Sequence, residues 1–348
     1  MHIDRLIKNN IDQVSTNYST TQPIRKHRTI KYLIHKFFQL FGIVLLKETS
    51  LKKINTLLYS IEYNTAFARY FILEREQIDQ VYSIVTDDAS RLSLDRYLKY
   101  RFALPLLYDI KNYNSYTLNT DYLLEIYKRE RERERERIPS LQGADKTIID
   151  IVISQTFLAK QYMFDEKSLV TCGDTILDCG CFLGETAIYF AELLSGKGKV
   201  YSFEPDTDYF KNANENIKKN GYDSIIEVIN VTVSNSNNEK SYTPCYKEKA
   251  SDNTPSVTID EFCLKNNISV DIIKMDIEGA EHDALIGAKY IIQRDQPILM
   301  ISAYHKPDDI FTLPRFINEL DCGYSIYFRD RADFILFAIP PTRKERIN

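Results

Sequence analysis

The sequence predicts an α/β protein, a doubly wound and mostly parallel sheet preceded by an N-terminal helical region. Three observations carry this reading. Thr175-Ile-Leu-Asp-Cys-Gly-Cys-Phe-Leu-Gly-Glu-Thr-Ala-Ile-Tyr-Phe190 runs from an aliphatic segment through a glycine-bearing turn into apolar residues at helical spacing. That is the strand–loop–helix opening of such a sheet. Beyond it, short aliphatic runs alternate with helical patterns to the end of the chain. Before about Arg137 the periodicity is helical throughout.

Taken in order, the first part of the chain carries Ile30, Leu33, Ile34, Phe37, Phe38, Phe41, Val44 and Leu45 on one helical face, behind Arg25, Lys26, Arg28 and Lys31. Such a stripe packs against neighbouring helices; its basic flank would also suit peripheral contact with an anionic membrane surface. Leu51–Leu73 and Gln77–Phe102 read as further helices, with a break at Asp87-Asp-Ala-Ser. Lys128–Arg137, KRERERERER, has opposite charges at i,i+3 and like charges at i,i+4, so its electrostatic gain as a helix nearly cancels. It reads as a solvated helix tail closed by Ile138-Pro139, with Pro139–Gly143 as a linker. The chain therefore divides into residues 1–140, helical, and 141–348, the sheet domain.

Lys146–Phe164 reads as a helix leading into the sheet. Strands are expected at Thr175–Asp178, Lys199–Phe203, Ile226–Val231, Asp271–Asp276 and Pro297–Tyr304, with helices at Glu185–Leu194, Asp208–Asn220, Thr258–Asn266 and Glu281–Gln293. Tyr324–Phe328 and Ala332–Ile339 form a closing antiparallel pair. This order fits the seven-stranded sheet of class I methyltransferases.

Ligands of such sheets sit at the carboxyl ends of the strands. Gly180 and Gly184 are spaced G-x-x-x-G behind Asp178, where a pyrophosphate-binding loop would carry an additional glycine. A carboxylate there suits a cationic or hydroxyl-bearing ligand, which favours S-adenosylmethionine over NAD. Gly184 is read as leaving room for the methionine moiety. Glu204 ends the second strand, where an acid accepts hydrogen bonds from ribose hydroxyls.

A formal charge of -4 and a pI near 5.9 argue against a dedicated nucleic-acid binder. The six cysteines include one close pair, Cys179 and Cys181, in poor zinc spacing, and read as free thiols of a reducing, cytoplasmic environment. No leader peptide or membrane-spanning stretch is expected from the sequence.

Residues 168–341 resemble the FkbM family of S-adenosylmethionine-dependent methyltransferases. The resemblance rests on DCGCFLGETAIYFA at 178–191, GKVYSFEPD at 198–206, SVTIDEFC at 256–263, VDIIKMDIEGAEHDALIGA at 270–288 and PILMISAYHKPDDIFTLP at 297–314. Gln80–Asp88 and Arg91–Phe102 are similar to the helical lead-in of some members. Cys181 departs from the Ala or Asn that members often carry. The resemblance implies O-methylation of a small-molecule or glycan acceptor, usually a sugar hydroxyl in a glycan, glycolipid or secondary metabolite. Asp178, Gly180, Gly184 and Glu204 match its cofactor positions, and Asn230–Thr232 would edge the adenine.

Two residues compete as the base that takes the acceptor's proton. His305 follows the fifth strand and has an ordinary pKa suited to neutrality; Asp276 ends the fourth. Glu278 and Glu281 read as acids at a helix start, favoured there by the helix dipole, in preference to metal ligands, so no metal is expected. Lys274 is expected to pair with one of the acids Asp276, Glu278 or Glu281. The alternatives are a non-catalytic module recruiting a glycosyltransferase or other glycan-assembly partner through the N-terminal helices, and a NAD-dependent sugar enzyme. The missing glycine and the absence of Tyr-x-x-x-Lys in a helix beside the sheet weigh against the latter.

Overall fold

The computed structural model describes residues 66–106, 134, 136–138, 146–237 and 254–347. The basic stripe at 30–46, most of the Arg/Glu repeat and the linker at 139–143 lie outside these residues. The described residues fall into two compact units, 66–75 with 98–106 and 76–97 with everything from 134 onward. In the smaller unit Phe67 and Phe71 meet edge to face at 5.9 Å, and the Arg101 guanidinium lies 3.9 Å from the centre of the Phe67 ring. No helix among the described residues is long and apolar enough to cross a membrane.

The larger unit is built on a seven-stranded sheet of order β3-β2-β1-β6-β7-β9-β8. Its strands are β1 (Thr175–Cys179), β2 (Lys199–Phe203), β3 (Ile226–Ile229), β6 (Ile272–Met275), β7 (Ile298–Ser302), β8 (Ser325–Arg329) and β9 (Ile335–Ile339). The first five are parallel, and β9 runs antiparallel to both β7 and β8. This is the class I methyltransferase sheet with its closing antiparallel pair. β1, β6, β7 and β9 are buried almost throughout, so they read as continuous aliphatic runs and not as alternating ones. The order reverses between β1 and β6, so the carboxyl ends of these two strands flank the switch point where such sheets take ligands.

The predicted strands are all present: β2 has the predicted bounds, β1 runs one residue further, β8 is shifted by one residue, and β3, β6, β7 and β9 are shorter than predicted. A further parallel pair, β4 (Thr232–Val233) with β5 (Ser256–Val257), was not expected from sequence; two residues are too few to show a period. The helices are α1 (Arg75–Ile84), α2 (Asp88–Leu106), α3 (Lys146–Ile153), α4 (Glu185–Leu193), α5 (Thr207–Lys219), α6 (Ile259–Asn266), α7 (Glu281–Ile286), α8 (Lys289–Asp295) and α9 (Asp309–Glu319). Helix α9 contains Pro314, which masks it in sequence.

Two expected helices are shorter than predicted. Glu281–Gln293 breaks at Gly287, because a Cβ there would come 2.2 Å from the Ser234 carbonyl oxygen. Asp260 restarts the chain as α8 by accepting the Tyr290 and Ile291 amides. Lys146–Phe164 ends α-helical geometry at Ile153, passes through a wide π turn at Ser154–Leu158, and then leaves the helix through left-handed Lys160. That unwinding carries Tyr162 into the core beneath the ligand edge.

The break before α2 falls at Asp87, whose carboxylate accepts the Ser90 amide. Arg329, buried at the end of β8, binds both Asp87 and Asp165, while Arg96 and Ser93 hold Asp330. Tyr97 stacks on Phe334 at 4.2 Å, and Thr86 donates to the Ile326 carbonyl along the edge strand. Residues 76–97 thus cover an otherwise open sheet edge. The end of the Arg/Glu repeat is not solvated: Arg137 pairs with Glu134 and Glu192 and lies 4.0 Å from the centre of the Phe157 ring, and Ile138 enters the core.

Candidate active site

Everything the sequence singled out lies along the carboxyl edge of β1, β2, β3, β6 and β7. The loop after β1 rises through left-handed Gly180, Phe182 and Gly184 before α4 begins. Gly180 is required sterically, since a Cβ would sit 2.0 Å from the Asp276 carbonyl oxygen. The space beside Gly184 is taken by Ala213 of α5, at 3.2 Å from its Cα and its carbonyl oxygen. Gly184 therefore serves helix packing, and the expectation that its empty side faces the methionine moiety is corrected.

Asp178 also differs from expectation. It is wholly buried, pairs with Lys274 Nζ at 2.9 Å and accepts from the Thr186 hydroxyl at 2.8 Å. Lys274 in turn donates to the Gly180 carbonyl at 2.6 Å and reaches the Cys179 carbonyl at 3.3 Å. The pair fastens the loop to β6 from below and presents no carboxylate to a ligand. Lys274 was expected to meet Asp276, Glu278 or Glu281; its register opposite Asp178 decides otherwise. Cys179 and Cys181 are buried beside it, their thiols pushed up by burial, as inert packing groups.

Glu204 stands at the end of β2 with its carboxylate nearly buried. It accepts the Phe182 amide at 3.0 Å and the Asp206 amide at 2.9 Å. Burial raises its pKa to about 8 despite these donors. Glu185, at the start of α4, is likewise raised to about 8 by burial. Asn230 donates from its side-chain amide to the Glu204 and Pro205 carbonyls at 2.8 and 3.1 Å, tying the end of β3 to that of β2.

The chemistry concentrates at β6 and β7. Asp276, 22% exposed, accepts from the Tyr162 hydroxyl at 3.3 Å through one oxygen and from the Tyr304 hydroxyl at 3.3 Å through the other. His305 Nε2 is 3.4 Å from Asp276 Oδ1 and 3.7 Å from Glu278 Oε2, and Nδ1 is 3.0 Å from Glu281 Oε1. The turn that brings these acids round has left-handed Glu278 and Gly279, and it is closed by the Ile277 amide donating to Glu281 Oε1 at 2.8 Å. The helix starts only at Glu281, so Glu278 is a turn residue facing the imidazole and not a helix-start acid as read from sequence.

Burial alone would depress the His305 pKa, but Glu281, Asp276 and Glu278 outweigh it and raise it to about 10. Glu281 shows the reciprocal effect: burial would raise it, and His305 holds it below the usual range. These acids favour the protonated imidazole, which makes His305 a poorer proton acceptor than an ordinary imidazole and leaves the Asp276 carboxylate as the alternative acceptor. Tyr162 and Tyr304, whose hydroxyls are driven up by burial and by Asp276, were missed from sequence. Tyr304 lies next to His305 in the AYHKP segment and was within reach of that reading; Tyr162 has no local signal and is brought in from 114 residues away.

A family profile described as methyltransferase FkbM domain matches residues 178–326. The chain is similar to the crystal structure of methyltransferase FkbM from Methylobacillus flagellatus KT, with 20% identity and a TM-score of 0.53, over 78% of this chain and 60% of that one. It thus spans well under two thirds of that relative's length. A weaker similarity, 15% identity and TM-score 0.34 over 53% of this chain and 63% of the other, is to an S-adenosylmethionine-dependent O-methyltransferase from Thermotoga maritima. No curated protein gives a significant match.

Proposed function

We propose that this chain, whose residues 178–326 match the methyltransferase FkbM domain profile, is an S-adenosylmethionine-dependent methyltransferase that methylates a hydroxyl oxygen on a sugar of a glycan, glycolipid or secondary metabolite. The observation that carries the reading is the partly open carboxylate of Asp276 at the switch point, ringed by Tyr162, Tyr304 and His305.

The residues present fit the cofactor. The β1 loop is bent by left-handed residues, and Glu204 is a buried acid whose ionised form gains from hydroxyl donors. Glu204 would hold the ribose, with the loop from Gly180 to Gly184 alongside it and Asn230 keeping Glu204 in place. Bound there, S-adenosylmethionine supplies a methyl group already activated on a sulfonium. The chain's own residues then need only align the acceptor oxygen and receive its proton. Asp276 receives the proton; Tyr162 and Tyr304 fix the carboxylate's plane, and His305 stands 3.4 Å from it. A hydroxyl acceptor is favoured because a carboxylate can both accept the hydrogen bond that orients it and take the proton during transfer.

The test is methyl transfer from labelled S-adenosylmethionine to a panel of free sugars, nucleotide sugars and glycan extracts. Label on a hydroxyl, with thermal stabilisation by S-adenosylmethionine and none by NAD, is expected. Stabilisation by NAD alone, or label on nitrogen or carbon, would sink the reading.

A further inference from the structure

Asp276, Glu281 and His305 offer donor atoms that all lie within 4.8 Å of one another. We infer that this cluster is a divalent-cation site, with His305 Nε2, Asp276 Oδ1 and Glu278 Oε2 as ligands and Glu281 as the carboxylate behind the histidine. The inference rests on the methyltransferase reading for its consequence, not for its geometry.

Three observations carry it. The separations from Nε2, 3.4 Å to Asp276 and 3.7 Å to Glu278, are what a cation of ordinary ligand distances would span with small adjustments of partly exposed carboxylates. On the other side of the ring, Nδ1 stands 3.0 Å from Glu281 Oε1. A metal-bound histidine characteristically donates its second nitrogen to a carboxylate in this way, which fixes the tautomer that leaves the first nitrogen as a ligand. Glu281 is wholly buried, and its Oε2 has no hydrogen-bond partner among the described residues.

The charge balance points the same way. Asp276, Glu278 and Glu281 surround the imidazole. The nearby Lys274 is already paired with Asp178. A divalent cation beside Nε2 would offset the negative charge of the carboxylates gathered there. One imidazole with two carboxylates suits a first-row divalent cation such as Mn²⁺, Fe²⁺ or Zn²⁺ better than Mg²⁺, which takes oxygen ligands. The cation would lie beside Asp276 Oδ1, where an acceptor hydroxyl can join it and become more acidic. Its O–H proton then passes to Asp276 as the oxygen takes the methyl, and the S–CH₃ bond breaks with its electron pair left on sulfur.

The experiment is Mn²⁺ titration of the full chain after chelator treatment, followed by the paramagnetic resonance of free Mn²⁺. One saturable site is expected, weakened about 10–100-fold by Glu281→Gln and lost in His305→Asn. Glu278→Gln, at a 37% exposed side chain, provides a variant that tests the site without disturbing the core and should weaken binding at least several-fold. Absence of saturable binding at millimolar Mn²⁺, or affinity unmoved by Glu278→Gln and His305→Asn, would overturn the inference. Thermal shift with S-adenosylmethionine in chelator is run in parallel. Retained cofactor binding without Mn²⁺ binding removes the cation site and leaves the methyltransferase reading standing. Mn²⁺ binding without cofactor binding does the reverse.

Discussion

Lys274 and His305 are both buried basic side chains, each at the carboxyl end of the parallel sheet and each against a carboxylate, yet their surroundings differ. Lys274 and Asp178 are sealed from solvent and answer each other one to one, with Thr186 and two loop carbonyls completing their hydrogen bonds. His305 faces several acids, and two of these, Asp276 and Glu278, reach the surface. A balanced, closed pair holds a backbone in place. A cluster with surplus acid and an open side can exchange protons, cations or substrate. Identical charge chemistry thus becomes structural or functional according to stoichiometry and access, and variants can separate the two.

The largest effect is expected at the closed pair. Lys274→Met would leave Asp178 as an uncompensated buried charge and should cost about 3–5 kcal/mol of stability, read by denaturant unfolding. The double variant Lys274→Met with Asp178→Leu should recover much of that loss, because no charge then remains buried. A single variant as stable as the parent would mean that water reaches Asp178 and that the pair is not sealed.

At the open cluster the sign of the result reverses: activity falls and stability holds. Asp276→Asn should lower turnover by about 10²–10⁴-fold with cofactor affinity and unfolding midpoint close to the parent's. One tyrosine hydroxyl can still donate to the amide oxygen and the other can accept from the amide nitrogen, which is why the fold should tolerate the change. Loss of stability comparable to that of Lys274→Met would place Asp276 with the structural pair.

The same contrast marks what the sequence could and could not disclose. Aliphatic strands such as β1 and β6, the glycine turn and Glu204 follow from local pattern, since burial on both faces and backbone curvature leave their signature in neighbouring residues. Partner choice does not. Asp178 looked like a ligand group because its strand-end position is the ligand position in this fold; only the register opposite Lys274 shows it turned inward. His305 looked like a base because its ordinary pKa is near neutral, and the three acids brought against it favour its protonated form. Tyr162 was illegible because a π turn in the lead-in segment, unmarked by proline or glycine, delivers it.

Gly184 sharpens the comparison on the structural side. A side chain there meets Ala213 at 3.2–3.3 Å with φ at 84°, so Gly184→Ala should destabilise by about 1–3 kcal/mol through strain and overpacking. Cofactor affinity at temperatures where the variant remains folded should change little. Strongly weakened binding by a variant of unchanged stability would return Gly184 to the ligand face.

Glu204 stands between the two cases, buried like Asp178 but answered by two amides and no cation. Its folded pKa, about 8, exceeds the ordinary 4.5, so the folded protein binds more protons than the unfolded chain between these values. Stability from this group is therefore fully present below about 4.5 and is lost as pH rises through about 8. Glu204→Gln, which cannot ionise, should flatten that part of the stability profile. Cofactor binding should run in the opposite direction. Ribose hydroxyls donating to the carboxylate favour its ionised form, so binding expels a proton and affinity climbs as pH approaches 8, then levels. Calorimetry near neutrality in two buffers of different ionisation enthalpy should register this proton release in the parent and none in Glu204→Gln. The variant should bind about 1–3 kcal/mol more weakly above pH 8, with turnover at saturating cofactor nearly unchanged. Proton release that persists in the variant would assign it to another group, and unchanged affinity would make Glu204, like Asp178, a brace for the loop.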